Sequence, residues 1–170
     1  THLSQPLTGN FPWLAYWDRC VKTVYTLGDD GKTITIDNTR IVNGIEKPIE
    51  TTWIAQASDN ADGKLTVKMK IPIIGEITAP LHVVATDYDN YALVHFCKQL
   101  AFITFNSFMI FTRETNPSED SVETMDSAIE PVLEKNGIDK TKFTLTSQEN
   151  CDNPLDLLQH WDKVAALMKG

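Results

Sequence analysis

The chain has 170 residues, about the size of one domain, of which 42% are hydrophobic and 22% charged. This ordinary globular balance excludes a disordered chain, a collagen-like repeat and a small disulfide-stapled protein. Lys and Arg total 15 and Asp and Glu total 23, which gives a formal net charge of −8. Because proteins that bind phosphate backbones need excess cationic side chains, this charge argues against a nucleic-acid partner and against docking on anionic membranes.

Three cysteines limit the chemistry available to thiols. Cys20, Cys97 and Cys151 show no C-x-x-C spacing, so the chain has neither a common zinc motif nor a common redox motif. An odd number allows at most one disulfide within the chain and leaves one thiol over. No segment approaches the roughly 18 apolar residues of a membrane span. The first residues lack the basic and apolar regions of a signal peptide, so we expect an intracellular protein or a chain whose leader has been removed.

The first two thirds of the chain predict short strands joined by tight turns. A β-branched run from Cys20 to Leu27 ends at a Gly-Asp-Asp-Gly turn, and Asn43-Gly44 is the strongest hairpin signal. Residues 65–71 alternate strictly between apolar and polar side chains, which is typical of a strand with one wet face. Residues 80–86 and 91–97 predict a further pair. The strand over 102–112 is apolar on both faces and needs a cover on its outer side.

The rest of the chain predicts that cover. Ser118 is a suitable N-cap and Gly137 a suitable stop for an amphipathic helix over about 118–136. A terminal strand over about 142–146 and a terminal helix over about 154–169 follow. The order favours one all-β domain over residues 1–170, with an up-and-down barrel over about 11–114 and the helix packed outside it.

Two motifs and the cysteines resemble the lipocalin family. Val84 to Val94, with Thr86, Asp87 and Tyr88, is similar to the Thr-Asp-Tyr motif between two late barrel strands, and Thr112-Arg113-Glu114 resembles the later Arg motif. The three cysteines fall where cysteines occur in the apolipoprotein D and insect bilin-binding (insecticyanin-like) branch. The resemblance implies an eight-stranded antiparallel up-and-down lipocalin β-barrel with a C-terminal α-helix. Gly9 to Trp13 would contribute a modified Gly-x-Trp motif to the first strand.

The resemblance also implies roles for the cysteines. Cys20 and Cys151 would form a disulfide, which places the protein in a secreted, oxidising environment. The alternative is that Cys20 is a nucleophile inside the barrel, as in the lipocalin-type prostaglandin synthase. The family partner of Cys97 lies near the N-terminus, where residues 1–19 contain no cysteine. Cys97 is then an inert thiol, a link to another chain or, as we favour, the orphan of a missing N-terminal segment.

Arg113 and the histidines are assigned structural roles. Strand parity places Arg113 on the inner face with Met109 and Phe111, and the resemblance implies that it closes the barrel bottom against an aromatic side chain such as Trp13 or Trp17. Thr86, Asp87 and Tyr88 are the matching structural motif. His82 and His95 lie on neighbouring strands opposite the apolar inward set. Two histidines without a nearby carboxylate or thiol are thin evidence for a metal, so we predict none.

Strand parity, fixed against the family pattern, predicts the lining of a pocket. The mainly aliphatic inward side chains are too small to fill a barrel of this size completely, which favours a pocket for an apolar ligand. The same residues could also form a fully packed interior. Tyr25, Trp53 and Thr35 are candidates for polar side chains that hydrogen-bond the ligand. The predicted ligand-binding residues are Tyr25, Trp53, Val67, Met69, Leu81, Val83, Ala92, Val94, Phe96, Met109 and Phe111.

These features lead to a functional prediction. We expect a secreted lipocalin that transports a small hydrophobic ligand, with a bilin pigment as the first choice and a carotenoid, fatty acid or sterol as alternatives. A structural, storage or coloration assembly protein, as a homo-oligomer, is a second class, supported by Cys97 and the terminal helix. A prostaglandin-synthase-type isomerase is the least favoured. We predict no catalytic residue and no enzyme cofactor.

Overall fold

The computed structural model describes residues 2–9, 18–42, 47–57, 63–71, 75–100 and 103–151. Antiparallel strands dominate these ranges, with one α-helix, α1 (Glu119–Lys135), after the eighth strand. A 3-10 turn, Lys140–Lys142, leads into the short strand that follows it. The strands are β1 (His2–Gly9), β2 (Asp18–Leu27), β3 (Thr33–Val42), β4 (Ile49–Ala57), β5 (Lys64–Ile71), β6 (Gly75–Thr86), β7 (Tyr91–Leu100), β8 (Ile103–Thr112) and β9 (Phe143–Leu145).

The sheet closes on itself. Consecutive strands from β2 to β8 pair in order, and β1 pairs antiparallel with both β8 and β2. Closure gives every strand of the ring two neighbours, which removes the exposed edges that an open sheet would leave. The short strand β9 adds to β1 from outside this ring. The predicted all-β up-and-down barrel with an external helix is confirmed.

The first strand begins earlier than predicted. We expected the barrel to start near residue 11, but β1 runs from His2 to Gly9. Pro6 made this segment a poor strand candidate because proline cannot donate to a ladder. The register of β1 on β8 shifts between Ser4 and Leu7, and an irregularity at that place tolerates Pro6. Residues 10–17, which include Phe11 and Trp13 of the predicted first strand, lie outside the described ranges.

Helix α1 has the ends that were predicted. The Ser118 side chain accepts a hydrogen bond from the backbone N–H of Ser121, as an N-cap does. At the other end Gly137 has φ +66°, its N–H bonds to the carbonyl of Glu134, and the N–H of Ile138 bonds to the carbonyl of Leu133. These two bonds form a Schellman motif that satisfies the last carbonyls of the helix. The predicted terminal helix over 154–169 lies outside the described residues.

The two apolar faces of β8 belong to two separate clusters. Phe111 points into the barrel, whereas Ile110 lies in the outer cluster beneath α1. Met125, Ile129 and Leu133 are the buried residues of the helix, and they supply the cover that the doubly apolar strand required. The helix therefore shields one part of the outer wall and leaves the interior to the strands. No helix within the described ranges combines the length and apolar character that a bilayer crossing requires.

Candidate functional site

The inner wall of the barrel is one apolar cluster. All eleven predicted ligand-binding side chains belong to it: the ten that strand parity pointed inward, and Trp53, which was predicted as a polar group of the pocket. That they contact a ligand stays a prediction. The buried members are Ile36, Ala55, Val67, Met69, Ile77, Ala79, Leu81, Val94 and Phe111, and the partly buried members are Tyr25, Ile34, Trp53, Leu65, Val83, Ala92, Phe96 and Met109.

Sequence reasoning missed part of this wall. Ile34 and Ile36 on β3 are in the cluster, so Thr35 between them points to the opposite face. Thr35 is therefore not, as was predicted, a polar side chain of the barrel interior. The inward face of β3 was assigned wrongly because its two faces look alike in sequence. Isoleucine and threonine alternate along it, and both residue types are common in strands. Ile77 and Ala79 were also missed. Their alternation with Leu81 along β6 was the signal that could have found them.

Tyr25 and Trp53 are the two aromatic side chains with a polar atom at this wall. Burial raises the pKa of Tyr25 to about 12, so its phenol stays protonated at neutral pH and keeps its O–H donor. Trp53 lies across from Phe96, with ring centroids 6.3 Å apart and planes tilted by 34°. Aromatic rings at this separation attract one another and hold their geometry. The wall therefore combines an aromatic pair, Trp53 and Phe96, with the thioether side chains of Met69 and Met109.

A polar patch adjoins the apolar cluster on β2 and β3. Because the β3–β4 ladder runs without a shift from Thr33 to Arg40, Asn38 and Arg40 share the inner face with Ile36. The buried hydroxyl of Thr23 donates to Oδ1 of Asn38 at 2.9 Å. The Nδ2 atom of Asn38 and the Nε atom of Arg40 are both buried. Sequence reasoning missed this patch through the same parity error that misplaced Thr35.

The Asp87 turn joins β6 to β7 and is built around one carboxylate. Oδ1 of Asp87 accepts backbone N–H bonds from Asp89, Asn90 and Tyr91 at 3.1, 2.8 and 3.0 Å, and Oδ2 accepts from the Asn90 side chain at 2.8 Å. Burial opposes ionisation of this group, but the hydrogen bonds outweigh it and lower the pKa of Asp87 to about 2. The carboxylate is therefore ionised at neutral pH and holds the turn. Tyr88, at φ +67°, is 79% exposed on this turn.

Arg113 does not lie on the inner face as predicted. It follows the last residue of β8, its side chain is exposed, and its guanidinium donates from Nε and from a terminal nitrogen to the carbonyl of Tyr88. Its backbone N–H also donates to the carbonyl of Asn90 at 2.9 Å. Parity failed because the strand ends one residue earlier, so alternation no longer applies. Arg113 ties the end of β8 to the Asp87 turn, while Trp13 and Trp17 lie outside the described residues.

We expect Arg113→Ala to lower the free energy of unfolding by about 1 kcal/mol, because it removes charge-assisted bonds to the Tyr88 carbonyl at an exposed site. Thermal unfolding followed by circular dichroism would measure this as a shift of a few degrees. Arg113→Lys, which keeps a cationic donor, should recover part of the loss. An unchanged melting temperature for Arg113→Ala would contradict the structural role.

The predicted disulfide is present. Cys20 and Cys151 are bonded, with Cα atoms 5.5 Å apart and a sequence separation of 131. The Cys20 N–H also donates to the carbonyl of Ser147 at 2.8 Å, and the Arg19 guanidinium donates to the carbonyl of Asn150 at 2.6 Å. The bond consumes the thiol that the isomerase hypothesis needs as a nucleophile. Cys97 is unpaired and half-buried, and because Phe96 points inward it lies on the outer face.

His82 and His95 face each other across β6 and β7 on the outer wall. They are register partners with ring centroids 6.0 Å apart, and His95 stacks on Phe108 at 4.3 Å. His95 Nε2 lies 2.7 Å from the amide oxygen of Asn106. Burial lowers the pKa of His82, and electrostatic repulsion from the neighbouring His95 and Lys64 lowers it further. Within the described residues no three His, Cys, Asp or Glu side chains are grouped to hold a metal ion.

The amino-acid sequence matches a known family and several curated proteins. Residues 18–125 match the family model described as Triabin. The chain is 32% identical to apolipoprotein D of Macaca fascicularis over 136 residues, covering 78% of this chain and 67% of that protein. It is 30% identical to apolipoprotein D of Cavia porcellus over 135 residues, covering 78% of this chain and 66% of that protein. The chain thus spans about two thirds of the length of these relatives.

Solved structures show the same fold. Lobster apocrustacyanin A1 superposes with a TM-score of 0.66 at 24% identity, over 91% of this chain and 79% of that chain. Insecticyanin from the tobacco hornworm Manduca sexta superposes with a TM-score of 0.65 at 18% identity, over 88% of this chain and 78% of that chain. At these identities the likeness establishes the architecture of the barrel and its outer helix.

Proposed function

We propose that this chain, which belongs to the lipocalin family, binds and carries a small hydrophobic molecule inside its barrel. Lipocalins are generally carriers and not enzymes. The bonded state of Cys20 agrees with a carrier, because it leaves no thiol at the position that the isomerase hypothesis requires. The disulfide also supports secretion, since such bonds persist in oxidising compartments.

One observation carries this proposal. Eight apolar side chains of the inner wall, among them Trp53, Phe96 and Met109, point inward but are only partly buried. In a barrel filled by its own side chains, inward apolar residues would be buried against each other at crystal-like density. Partial burial at so many inward positions instead supports a cavity. Apolar surface of this kind is stabilised when a hydrophobic molecule covers it.

The identity of the ligand is part of the proposal. A bilin is the first choice, by the resemblance of the sequence to the insect bilin-binding branch, and a fatty acid, carotenoid or sterol follows. Inward Met69 and Met109 suit a ligand of irregular shape because thioether side chains adapt to their neighbours. Tyr25 contributes a phenol hydroxyl to the same wall.

The test is the chemical analysis of natively purified protein. We expect a hydrophobic molecule to co-purify and to be released on denaturation, with a visible absorption band if it is a pigment and with lipid masses alone if it is not. A ligand at 100 times its Kd should add about 2.7 kcal/mol to the free energy of unfolding. Protein that holds no such molecule, and whose melting temperature no bilin, fatty acid, carotenoid or sterol raises, would contradict the carrier function.

A matched pair of variants locates the ligand. Ala92→Phe adds a ring at a partly buried position of the inner wall, whereas Ala128→Phe adds the same ring at an exposed position of α1. The first should reduce ligand occupancy strongly because it fills space inside the barrel, and the second should leave occupancy unchanged. Equal occupancy in both variants would place the ligand elsewhere.

A further inference from the structure

We propose that His82 and His95, which face each other on the outer wall of β6 and β7, form a two-histidine site for Zn²⁺. The ion bridges the two strands, and water fills its remaining coordination positions. The site lies outside the barrel, so it does not depend on the carrier function. Sequence spacing predicted no metal here because spacing shows neither that the two histidines face each other nor how their rings are oriented.

Both histidines point away from the barrel interior. The residues on either side of each histidine belong to the inner apolar cluster, so His82 and His95 themselves face outward. They are register partners on two antiparallel strands. Side chains directly opposite each other on such strands have Cβ atoms about 4.5–5.5 Å apart. The sheet therefore holds the two imidazoles side by side on one rigid surface.

His95 is held in one orientation. Its ring stacks on Phe108, with centroids 4.3 Å apart and an angle of 17° between the planes. Its Nε2 atom lies 2.7 Å from Oδ1 of Asn106, and because an amide oxygen only accepts, Nε2 carries the proton of the neutral ring. The lone pair of the neutral imidazole is then on Nδ1. Metal-binding histidines have the same arrangement, in which the nitrogen that does not bind the metal donates to an oxygen.

His82 can turn toward His95. Its side chain makes no hydrogen bond to any other described residue, and both histidines are half-buried, so ions reach their rings. The two ring centroids are 6.0 Å apart, with planes tilted by 57°. Zn–N bonds of about 2.1 Å place the centroids of two imidazoles about 5 Å apart on one tetrahedral ion. A shift of the His82 ring by about 1 Å is therefore enough to bring both rings onto one ion.

Two imidazoles select the class of ion. Neutral imidazole suits Zn²⁺ and its neighbours Cu²⁺ and Ni²⁺, whereas Ca²⁺ and Mg²⁺ require oxygen ligands. Among the residues that the structure describes, no third His, Cys, Asp or Glu side chain completes a group of three. We therefore expect weaker binding than at a closed four-ligand site. Lys64, the register partner of His82 on β5, repels a cation, but its side chain is exposed and its charge is screened by salt.

The experiment titrates Zn²⁺ by calorimetry into the full chain and into four variants, in which each of the 4 histidines is replaced in turn by glutamine. His82→Gln and His95→Gln should each weaken Zn²⁺ binding about tenfold or more, because the remaining imidazole binds without a second, intramolecular ligand. His2→Gln, on β1, and His160→Gln are the matched controls and should leave binding unchanged. Zn²⁺ should also raise the melting temperature of the wild type and of these controls, but not of the two site variants.

Two further variants test the surroundings of the pair. Asn106→Leu removes the acceptor that orients His95, so it should weaken Zn²⁺ binding, though by less than the loss of either histidine. Lys64→Gln removes a repelling charge and should strengthen binding, most clearly at low salt. An ion attracted only by the net charge of −8 would respond to Lys64→Gln and not to Asn106→Leu, and that result would refute the site.

Three other results would overturn the proposal. The first is a wild-type protein that binds no Zn²⁺, or site variants that bind it as tightly as the wild type does. The second is Mg²⁺ that competes as strongly as Zn²⁺, since this would indicate oxygen ligands in place of imidazoles. The third concerns Cys97, which lies on the same face of β7 two residues after His95. Cys97→Ser should not affect Zn²⁺, and a loss as large as that of His95→Gln would mean that the pair alone does not bind the ion. Because His82 makes no hydrogen bond to another described residue, His82→Gln should keep the fold even if His95→Gln does not.

Discussion

Replacing Cys20 and Cys151 together by serine should lower the free energy of unfolding by about 5 kcal/mol. The bond closes a loop of 131 residues, and in the chain-entropy model a cross-link of that span removes a large part of the freedom of the unfolded chain. The folded state keeps the hydrogen bond from the Cys20 N–H to Ser147 and the contacts of Arg19 with the tail. The stability should therefore fall mainly because the unfolded chain gains conformational entropy. The folded barrel should be unchanged at low temperature.

For a chain of this length, such a loss corresponds to a fall of about 10–20 °C in melting temperature. Cys97→Ser is the matched control because Cys97 has no partner in the bond, and it should melt within a degree or two of the wild type. Reductant should lower the melting temperature of the wild type and leave the double variant unchanged. A double variant that melts like the wild type would show that the tail contacts alone hold residues 147–151.

Features set by neighbouring residues were predictable from the sequence. The alternation from Leu65 to Met69 placed Val67 and Met69 inside the barrel, because a strand exposes alternate residues on opposite faces whatever the remainder of the fold does. The ends of α1 were equally local: Ser118 caps its own helix and Gly137 ends it. The disulfide was different, since its pairing came from a family resemblance and not from spacing.

Features set by distant contacts were not predictable. Arg113 was assigned by extending strand parity past Thr112, but the strand ends there and the guanidinium turns to a carbonyl 25 residues earlier. The inward direction of Asn38 depends on its pairing with Thr23 and Thr51 on two other strands, which no local pattern reports. The polar patch of β3 and Arg113 were therefore the parts of the molecule that required three-dimensional information.

Gly63→Ala should cost about 2–5 kcal/mol of stability. Gly63 has φ +71°, a left-handed conformation that costs a residue with a side chain about 1–2 kcal/mol. A Cβ atom here would also stand 2.6 Å from the backbone carbonyl oxygen of Val83. Because the N–H of Val83 donates to the Gly63 carbonyl at 2.7 Å, the two segments cannot separate without losing that bond. Relieving the overlap would displace β6, at a further cost of about 1–3 kcal/mol.

Gly31→Ala isolates the steric part of this effect. Gly31 has φ +65° but no atom within 4 Å of its would-be Cβ, so it carries the conformational cost without the overlap. Denaturant unfolding of the two variants should therefore show a larger loss for Gly63→Ala, with the difference measuring the close approach to Val83. Gly63→Asn, which tolerates the left-handed conformation better, should remain destabilised for the same reason. Equal losses of stability for Gly63→Ala and Gly31→Ala would mean that β6 can move away at Val83 without a measurable free-energy cost. The hydrogen bond from the Val83 N–H to the Gly63 carbonyl would then not hold this part of the inner wall in place.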